Sequence, residues 1–155
     1  MFYVRRRSTI RNLMTKFYKG EIYNDKRGTL TAFNDFSLVP IKRMYSILLP
    51  DTQIVRAWQG HKKESKWFYV THGIFAIAIV EIDDFDNPSK ELMAEYFIIK
   101  ASENSVLQIP NGFANGLKAL EPNSKVAIFS DLTLDEAKND NFKFESKNWL
   151  NWDKL

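Results

Sequence analysis

The stretch Trp67-Phe68-Tyr69-Val70-Thr71-His72-Gly73-Ile74-Phe75-Ala76-Ile77-Ala78-Ile79-Val80-Glu81-Ile82 decides the fold class. Residues 67–71 and 74–82 are rich in β-branched and aromatic side chains, which suit a pleated strand. His72-Gly73 supplies a turn between them, and His72 reads as structural there. The second run is apolar almost throughout, as expected of a strand covered on both faces. Its longest apolar part, Ile74 to Val80, is strand length and far short of the roughly 18 residues a membrane helix needs.

The same rhythm extends in both directions. Turn signals recur about every ten residues, at Asn24-Asp25 with Gly28, Asn34-Asp35, Pro50-Asp51, Gly60, Asp83 to Pro88, Ser102 to Asn104, Pro110 to Gly112 and Pro122-Asn123. Strand-like segments lie between them at 43–49, 53–59, 94–100, 105–109 and 125–132. This spacing predicts an all-β domain, an antiparallel double-sheet sandwich or barrel. One helix start is legible. Thr133 and Glu136 have the T-x-x-E form of a capping box, predicting a short C-terminal helix that acts as a lid over a barrel end. The tail Asn148-Trp149-Leu150-Asn151-Trp152 is aromatic but too short for a domain.

A chain of 155 residues fits one domain, and 45% apolar with 26% charged residues excludes disorder as its overall class. The formal charge of +3 is unevenly placed: residues 1–19 carry +6 and the rest −3. The chain divides accordingly into a basic N-terminal extension, 1–19, and a domain, 20–155, with Met14 an alternative start. The body has no Lys/Arg stripe interleaved with aromatics, so neither nucleic acid nor membrane is an expected partner. Zero cysteines remove disulfide scaffolds, thiol nucleophiles and Cys-based metal sites. Without them, and without a long apolar segment after Arg5-Arg6-Arg7, the expected location is cytoplasmic.

Chemistry concentrates in Arg56-Ala57-Trp58-Gln59-Gly60-His61-Lys62 and Ile109-Pro110-Asn111-Gly112-Phe113-Ala114-Asn115-Gly116. Side chains alternate along a strand, so Gln59 and His61 point the same way. After a turn at Lys62 to Ser65, Lys66 is expected to enter the same cavity from the neighbouring strand. The result is a polar pocket in an otherwise apolar barrel. Trp58 and Trp67 read as packing groups, and Lys62-Lys63-Glu64 as solvated loop charge.

These segments resemble the cupin superfamily. Within it they resemble the group of dTDP-4-dehydrorhamnose 3,5-epimerases and dTDP-4-keto-6-deoxyglucose 3,4-ketoisomerases. Asp25-Lys26-Arg27-Gly28 is similar to the D-x-R-G segment of both, and Ile41-Lys42-Arg43-Met44-Tyr45 to the ketoisomerase K-R-x-Y strand. Arg56 to Lys62 resembles the ketoisomerase R-G-x-H-A-H-K, and Ile109 to Leu117 the epimerase I-P-x-G-F-A-H-G-F. The likeness spans roughly Asp25 to Asp131. It implies a cupin jelly-roll barrel, pairing as a homodimer, and a small-molecule nucleotide-sugar substrate in deoxysugar biosynthesis.

Two histidines of the group are replaced, the first of H-A-H by Gln59 and that of F-A-H-G by Asn115, while the second of H-A-H survives as His61. The epimerase His–Asp dyad also needs an aspartate well past the barrel, so a standard epimerase mechanism is not expected of a sequence that stops at Leu155. Metal-binding cupins use an H-x-H strand, a Glu on the next strand and a His after P-x-G. Gln59, His61, Lys66 and Asn115 stand at those positions, so no metal and no cofactor is expected.

The group's substrates carry a ketone at C4, which acidifies the C3 and C5 hydrogens. Enolate chemistry needs a base titrating near neutrality and a donor or cation beside the developing oxyanion. His61 meets the first requirement. Lys66, Tyr45 and Gln59 are candidates for the second. Arg27 and Arg56 resemble the group's diphosphate-contacting arginines, with Arg43 and Asn115 as further substrate contacts. The expected function is a metal-independent sugar-nucleotide isomerase or epimerase. The alternatives are a sugar-nucleotide-binding cupin with reduced catalysis, and a structural or regulatory partner acting through the basic tail.

Overall fold

The computed structural model describes residues 15–155. Arg5, Arg6, Arg7, Arg11 and Met14 lie outside the described residues. In chain order the strands are β1 (Lys16–Lys19), β2 (Glu21–Asp25), β3 (Gly28–Ala32), β4 (Arg43–Leu49), β5 (Val55–Gly60), β6 (Lys66–His72), β7 (Ile74–Glu81), β8 (Glu95–Lys100), β9 (Ser105–Ile109), β10 (Phe113–Ala119) and β11 (Ser124–Ser130). The helix α1 (Leu134–Lys138) and the short strand β12 (Phe142–Lys143) follow. Two five-stranded antiparallel sheets, ordered β1-β9-β6-β11-β4 and β12-β5-β10-β7-β8, face each other, while β2 and β3 form a separate hairpin. This is the cupin jelly-roll sandwich, with the short C-terminal α-helix expected.

The predicted strand pair is present. β6 and β7 meet at Gly73, whose φ of 72° favours glycine, and a Cβ there would fall 2.1 Å from Ser124 Oγ. They do not pair with each other, because β6 belongs to one sheet and β7 to the other. β7 is apolar on both faces for a physical reason. Phe75, Ile77 and Ile79 join Phe68, Val70, Leu107, Val126 and Ile128 in the core between the sheets. Ala78 and Val80 turn outward beneath a second cluster, in which Trp58, Ala114 and Trp152 are buried and Phe144 and Trp149 are packed against them. The aromatic tail is therefore the second cover of this sheet.

Two sequence expectations need correction. Lys16–Lys19, assigned above to the N-terminal extension, pair with β9 and form the edge of the first sheet. The chain after His61 does not return on a strand beside β5, because residues 61–65 cross to the opposite sheet before β6 begins. Strand β10 spans a segment quoted above only as a motif. Asn115, Gly116 and Lys118 weaken its β signal, yet every residue in it is buried. The Lys118 ammonium donates to the main-chain oxygens of Trp152 and Leu155. No helix among the described residues is long and apolar enough to cross a membrane.

Candidate functional site

The inward faces of the strands change character toward one end of the barrel. On β4, Leu49 and Ile47 give way to Tyr45 and Arg43; on β6, Val70 and Phe68 give way to Lys66; on β11, Val126 and Ile128 give way to Ser130; on β10, Leu117 gives way to Asn115. Period-two alternation keeps these residues on a common face, so the end of the core becomes a polar pocket. It encloses about 630 Å³. Leu134, Ala137, Lys138, Asn141, Lys143 and Phe144 line it from the C-terminal side, so α1 and the strap to β12 do cover this barrel end. The helix begins as predicted, with Glu136 N donating to Thr133 Oγ1 and Thr133 N to Glu136 Oε2.

Seven of the candidate residues line this cavity: Arg43, Tyr45, Arg56, Gln59, His61, Lys66 and Asn115. Arg27 does not. It sits in the turn of the β2–β3 hairpin, exposed and paired with Asp25, because that hairpin stands apart from both sheets.

His61 is buried, with 3% of its surface exposed. Its Nδ1 lies 2.6 Å from the main-chain oxygen of Asp140 and 3.0 Å from Glu64 Oε2, while Nε2 has no hydrogen-bond partner. Both neighbours of Nδ1 are acceptors, so Nδ1 carries a ring proton, and in the neutral ring the lone pair is on Nε2. The loop after His61 is held by Asp140, whose carboxylate accepts from the N–H groups of Lys62, Lys63 and Glu64 at 2.8–2.9 Å.

Glu64 is the residue that sequence reading misplaced. It is no solvated loop charge: its side chain is fully buried, and Oε1 accepts from Arg43 Nη2 at 2.8 Å and Ser130 Oγ at 2.5 Å. Burial alone would raise its carboxyl, but the His61 hydrogen bond, the Lys66 charge and Ser130 outweigh that and hold it at about 2. A Glu preceded by two lysines carries no local signal of burial. Asp140 was missed likewise. It meets His61 with its main-chain oxygen, while its carboxylate holds the loop at 62–64.

Lys66 is buried, and its Nζ lies 3.7 Å from Glu64 Oε2. Burial and the Arg43 charge push it down to about 8, against the pull of Glu64. Tyr45 is raised to about 12, first by burial and then by Glu64. Arg43 lies 5.0 Å over the Tyr45 ring and donates to Leu132 O at 3.1 Å as well as to Glu64, so its guanidinium is committed to the protein. Gln59 Nε2 donates to Asn141 Oδ1 at 2.8 Å, and Asn115 Nδ2 to Gln59 O at 3.2 Å. Arg56 and Lys143 line the cavity with no hydrogen bond or ion pair among the described residues.

His61, Glu64 and Asp140 bring ligand atoms within 4.8 Å of one another. Their chemistry does not fit a cation. The Asp140 carboxylate is spent on three N–H groups, and Arg43 and Lys66 already neutralise Glu64. The cavity is lined by His61, whose Nε2 is buried and unpartnered, by protonated Lys66 and Tyr45, and by uncommitted positive charge at Arg56 and Lys143.

No family model and no curated protein matches the sequence. Solved structures do match. An epimerase from Mycobacterium tuberculosis is 13% identical at a TM-score of 0.74, over 92% of this chain and 76% of its own. A TDP-quinovose 3,4-ketoisomerase from Campylobacter jejuni is 22% identical at a TM-score of 0.65, covering 94% of this chain and 97% of its own. A variant of the 3,4-ketoisomerase from Thermoanaerobacterium thermosaccharolyticum, in complex with TDP-4-keto-6-deoxyglucose, is 19% identical at a TM-score of 0.67, over 85% and 88% of the two chains. The chain thus has the fold shared by sugar-nucleotide 3,4-ketoisomerases and 3,5-epimerases.

Proposed function

We propose that the cavity binds a nucleotide-linked 4-keto-6-deoxy sugar, with dTDP as the favoured nucleotide, and isomerises or epimerises it through an enolate. His61 Nε2 takes the proton from the carbon beside the ketone. Lys66 and Tyr45, both protonated at neutral pH, face the developing oxyanion. Arg56 takes the diphosphate, for which a planar guanidinium offers paired donors. No metal or cofactor enters the step. The observation that carries this reading is the convergence of His61, Lys66 and Tyr45 on one polar barrel end in a fold shared with enzymes of this chemistry.

The test is to incubate the protein with dTDP-4-keto-6-deoxyglucose in heavy water and follow C3 and C5 by NMR. Deuterium entry at either carbon supports the reading, and its absence with dTDP, UDP and GDP forms alike refutes it.

A second reading, a sugar-nucleotide-binding protein with reduced catalysis, is favoured by the tying of Gln59 to Asn141 and Asn115 to Gln59 where related sites carry histidines. It predicts thermal stabilisation by the same ligand without exchange. Pairing of two copies belongs to either reading. Exposed Ile22, Tyr23 and Leu30 on the hairpin and Met44 and Leu48 on edge strand β4 support it, since apolar surface of this kind marks interfaces.

A further inference from the structure

Glu64 is the only acid lining the cavity among the described residues, and its two oxygens do different things. Oε1 is anchored by Arg43 and Ser130, from β4 and β11. Oε2 lies between the two groups that move protons, 3.0 Å from His61 Nδ1 and 3.7 Å from Lys66 Nζ. A carboxylate needed only to neutralise Arg43 has no reason to hold its second oxygen between a base and a donor.

We propose that Glu64 is a counter-ion shared by His61 and Lys66, and that its partner changes during the reaction. This rests on the isomerase reading of the site. At rest Glu64 balances Lys66. When the substrate C–H bond breaks, the proton goes to His61 Nε2 and the electron pair forms the new C=C bond. The C4 oxygen then receives a proton from Lys66 Nζ, giving a neutral enol. His61 is now the cation and Lys66 the neutral amine, and Glu64 Oε2 pairs with the imidazolium instead. His61, Glu64, Lys66 and Arg43 carry one net positive charge before and after. In a buried site, where uncompensated charge is costly, a constant charge keeps the barrier low. For ketone migration His61 Nε2 then returns the proton to C4 while the C3 hydroxyl gives its proton to Lys66 Nζ, forming the C3 ketone and restoring both groups. Glu64 touches no substrate atom in this scheme; it positions and compensates the groups that do.

The other charged or titratable groups facing this centre are Arg43 and Tyr45 on β4, Arg56 on β5, Lys138 on α1, Lys143 on β12 and Asp140 on the strap after α1. None of them lies between His61 and Lys66 as Oε2 does.

The test compares the unmodified protein with Glu64→Gln and Glu64→Asp. It reads kcat and KM for dTDP-4-keto-6-deoxyglucose across pH, and the titration of the Lys66 side chain by NMR with carbon-13-labelled lysine, assigned with Lys66→Arg. The proposal predicts a kcat about 100-fold lower in Glu64→Gln with KM within about twofold. It also predicts that the alkaline limb of the kcat profile and the Lys66 resonance both move to lower pH, because Lys66 loses the anion that holds its proton. Glu64→Asp, with charge kept and reach shortened, falls between, and it carries the comparison if Glu64→Gln does not fold. An unmoved alkaline limb and an unmoved Lys66 resonance in a folded variant overturn the proposal. If the unmodified protein shows no turnover, the isomerase reading falls. The Lys66 resonance then decides alone: a shift supports the shared counter-ion, and no shift overturns it.

Discussion

The main-chain oxygen of Asp140 lies 2.6 Å from Nδ1 of His61, and the carboxylate of the same residue accepts from three consecutive N–H groups just after that histidine. One residue on the strap between α1 and β12 therefore fixes both the ring proton and the loop that carries it. Replacing it by alanine leaves three N–H groups near the barrel end without their acceptor. At about 1 kcal/mol each, the expected loss is on the order of 2–3 kcal/mol, read as a fall of roughly 5–10 °C in the calorimetric Tm. Because the main-chain oxygen remains, the His61 ring is expected to keep its Nδ1–H tautomer, which nitrogen-15 NMR reads directly.

Stability on the acid side is expected to depend on Glu64. Its folded-state carboxyl is held at about 2, below the ordinary 4.5. A carboxyl lowered on folding stabilises fully above the unfolded value, and this contribution is lost as pH falls through the folded one. The Tm difference between the unmodified protein and Glu64→Gln should close as pH falls from 4.5 to 2. A difference unchanged down to pH 2 would contradict the assignment.

The aromatic tail is expected to be dislodged by Gly116→Ala. A Cβ at Gly116 would stand 2.6 Å from Trp152 Cζ2 and 2.8 Å from Ala57 Cβ, so the indole must move. Overpacking of this kind costs about 1–3 kcal/mol. Acrylamide quenching of tryptophan fluorescence should rise in the variant, since Trp152 covers Trp58 at 5.4 Å between ring centroids.

How much of this was legible in the sequence differs between the core and the site. The strands of the sandwich with β-branched, aromatic runs, β4, β7 and β9 above all, announce themselves by composition and by the turn residues between them. β10 hides because its Asn115 and Lys118 are satisfied by partners distant in sequence and its Gly116 lies against Trp152, which no local pattern shows. His61, Tyr45 and Arg56 were readable because they stand in motif segments, and Lys66 because it opens the strand after the turn at 62–65. Glu64 and Asp140 were not, since their burial depends on the chain crossing between sheets at 61–65 and on the strap folding back over that crossing. Arg27 illustrates the converse: a motif residue whose hairpin the fold holds away from the cavity.

Arg56 and Lys143, uncommitted at the cavity, are expected to carry the affinity for a diphosphate. Removing either charge by alanine should weaken dTDP binding about tenfold, the value of one charge-assisted contact. The salt dependence of binding should flatten at the same time. Calorimetric titration at two ionic strengths reads both. Equal affinity in all three proteins would place the diphosphate elsewhere.

His61 as the carbon base is tested most directly by the rate of deuterium entry into dTDP-4-keto-6-deoxyglucose, compared between the unmodified protein and His61→Asn. The predicted result is exchange at C3 or C5 in the unmodified protein and a rate at least about 100-fold lower in the variant, with dTDP affinity retained. Exchange at an equal rate in both proteins would contradict it.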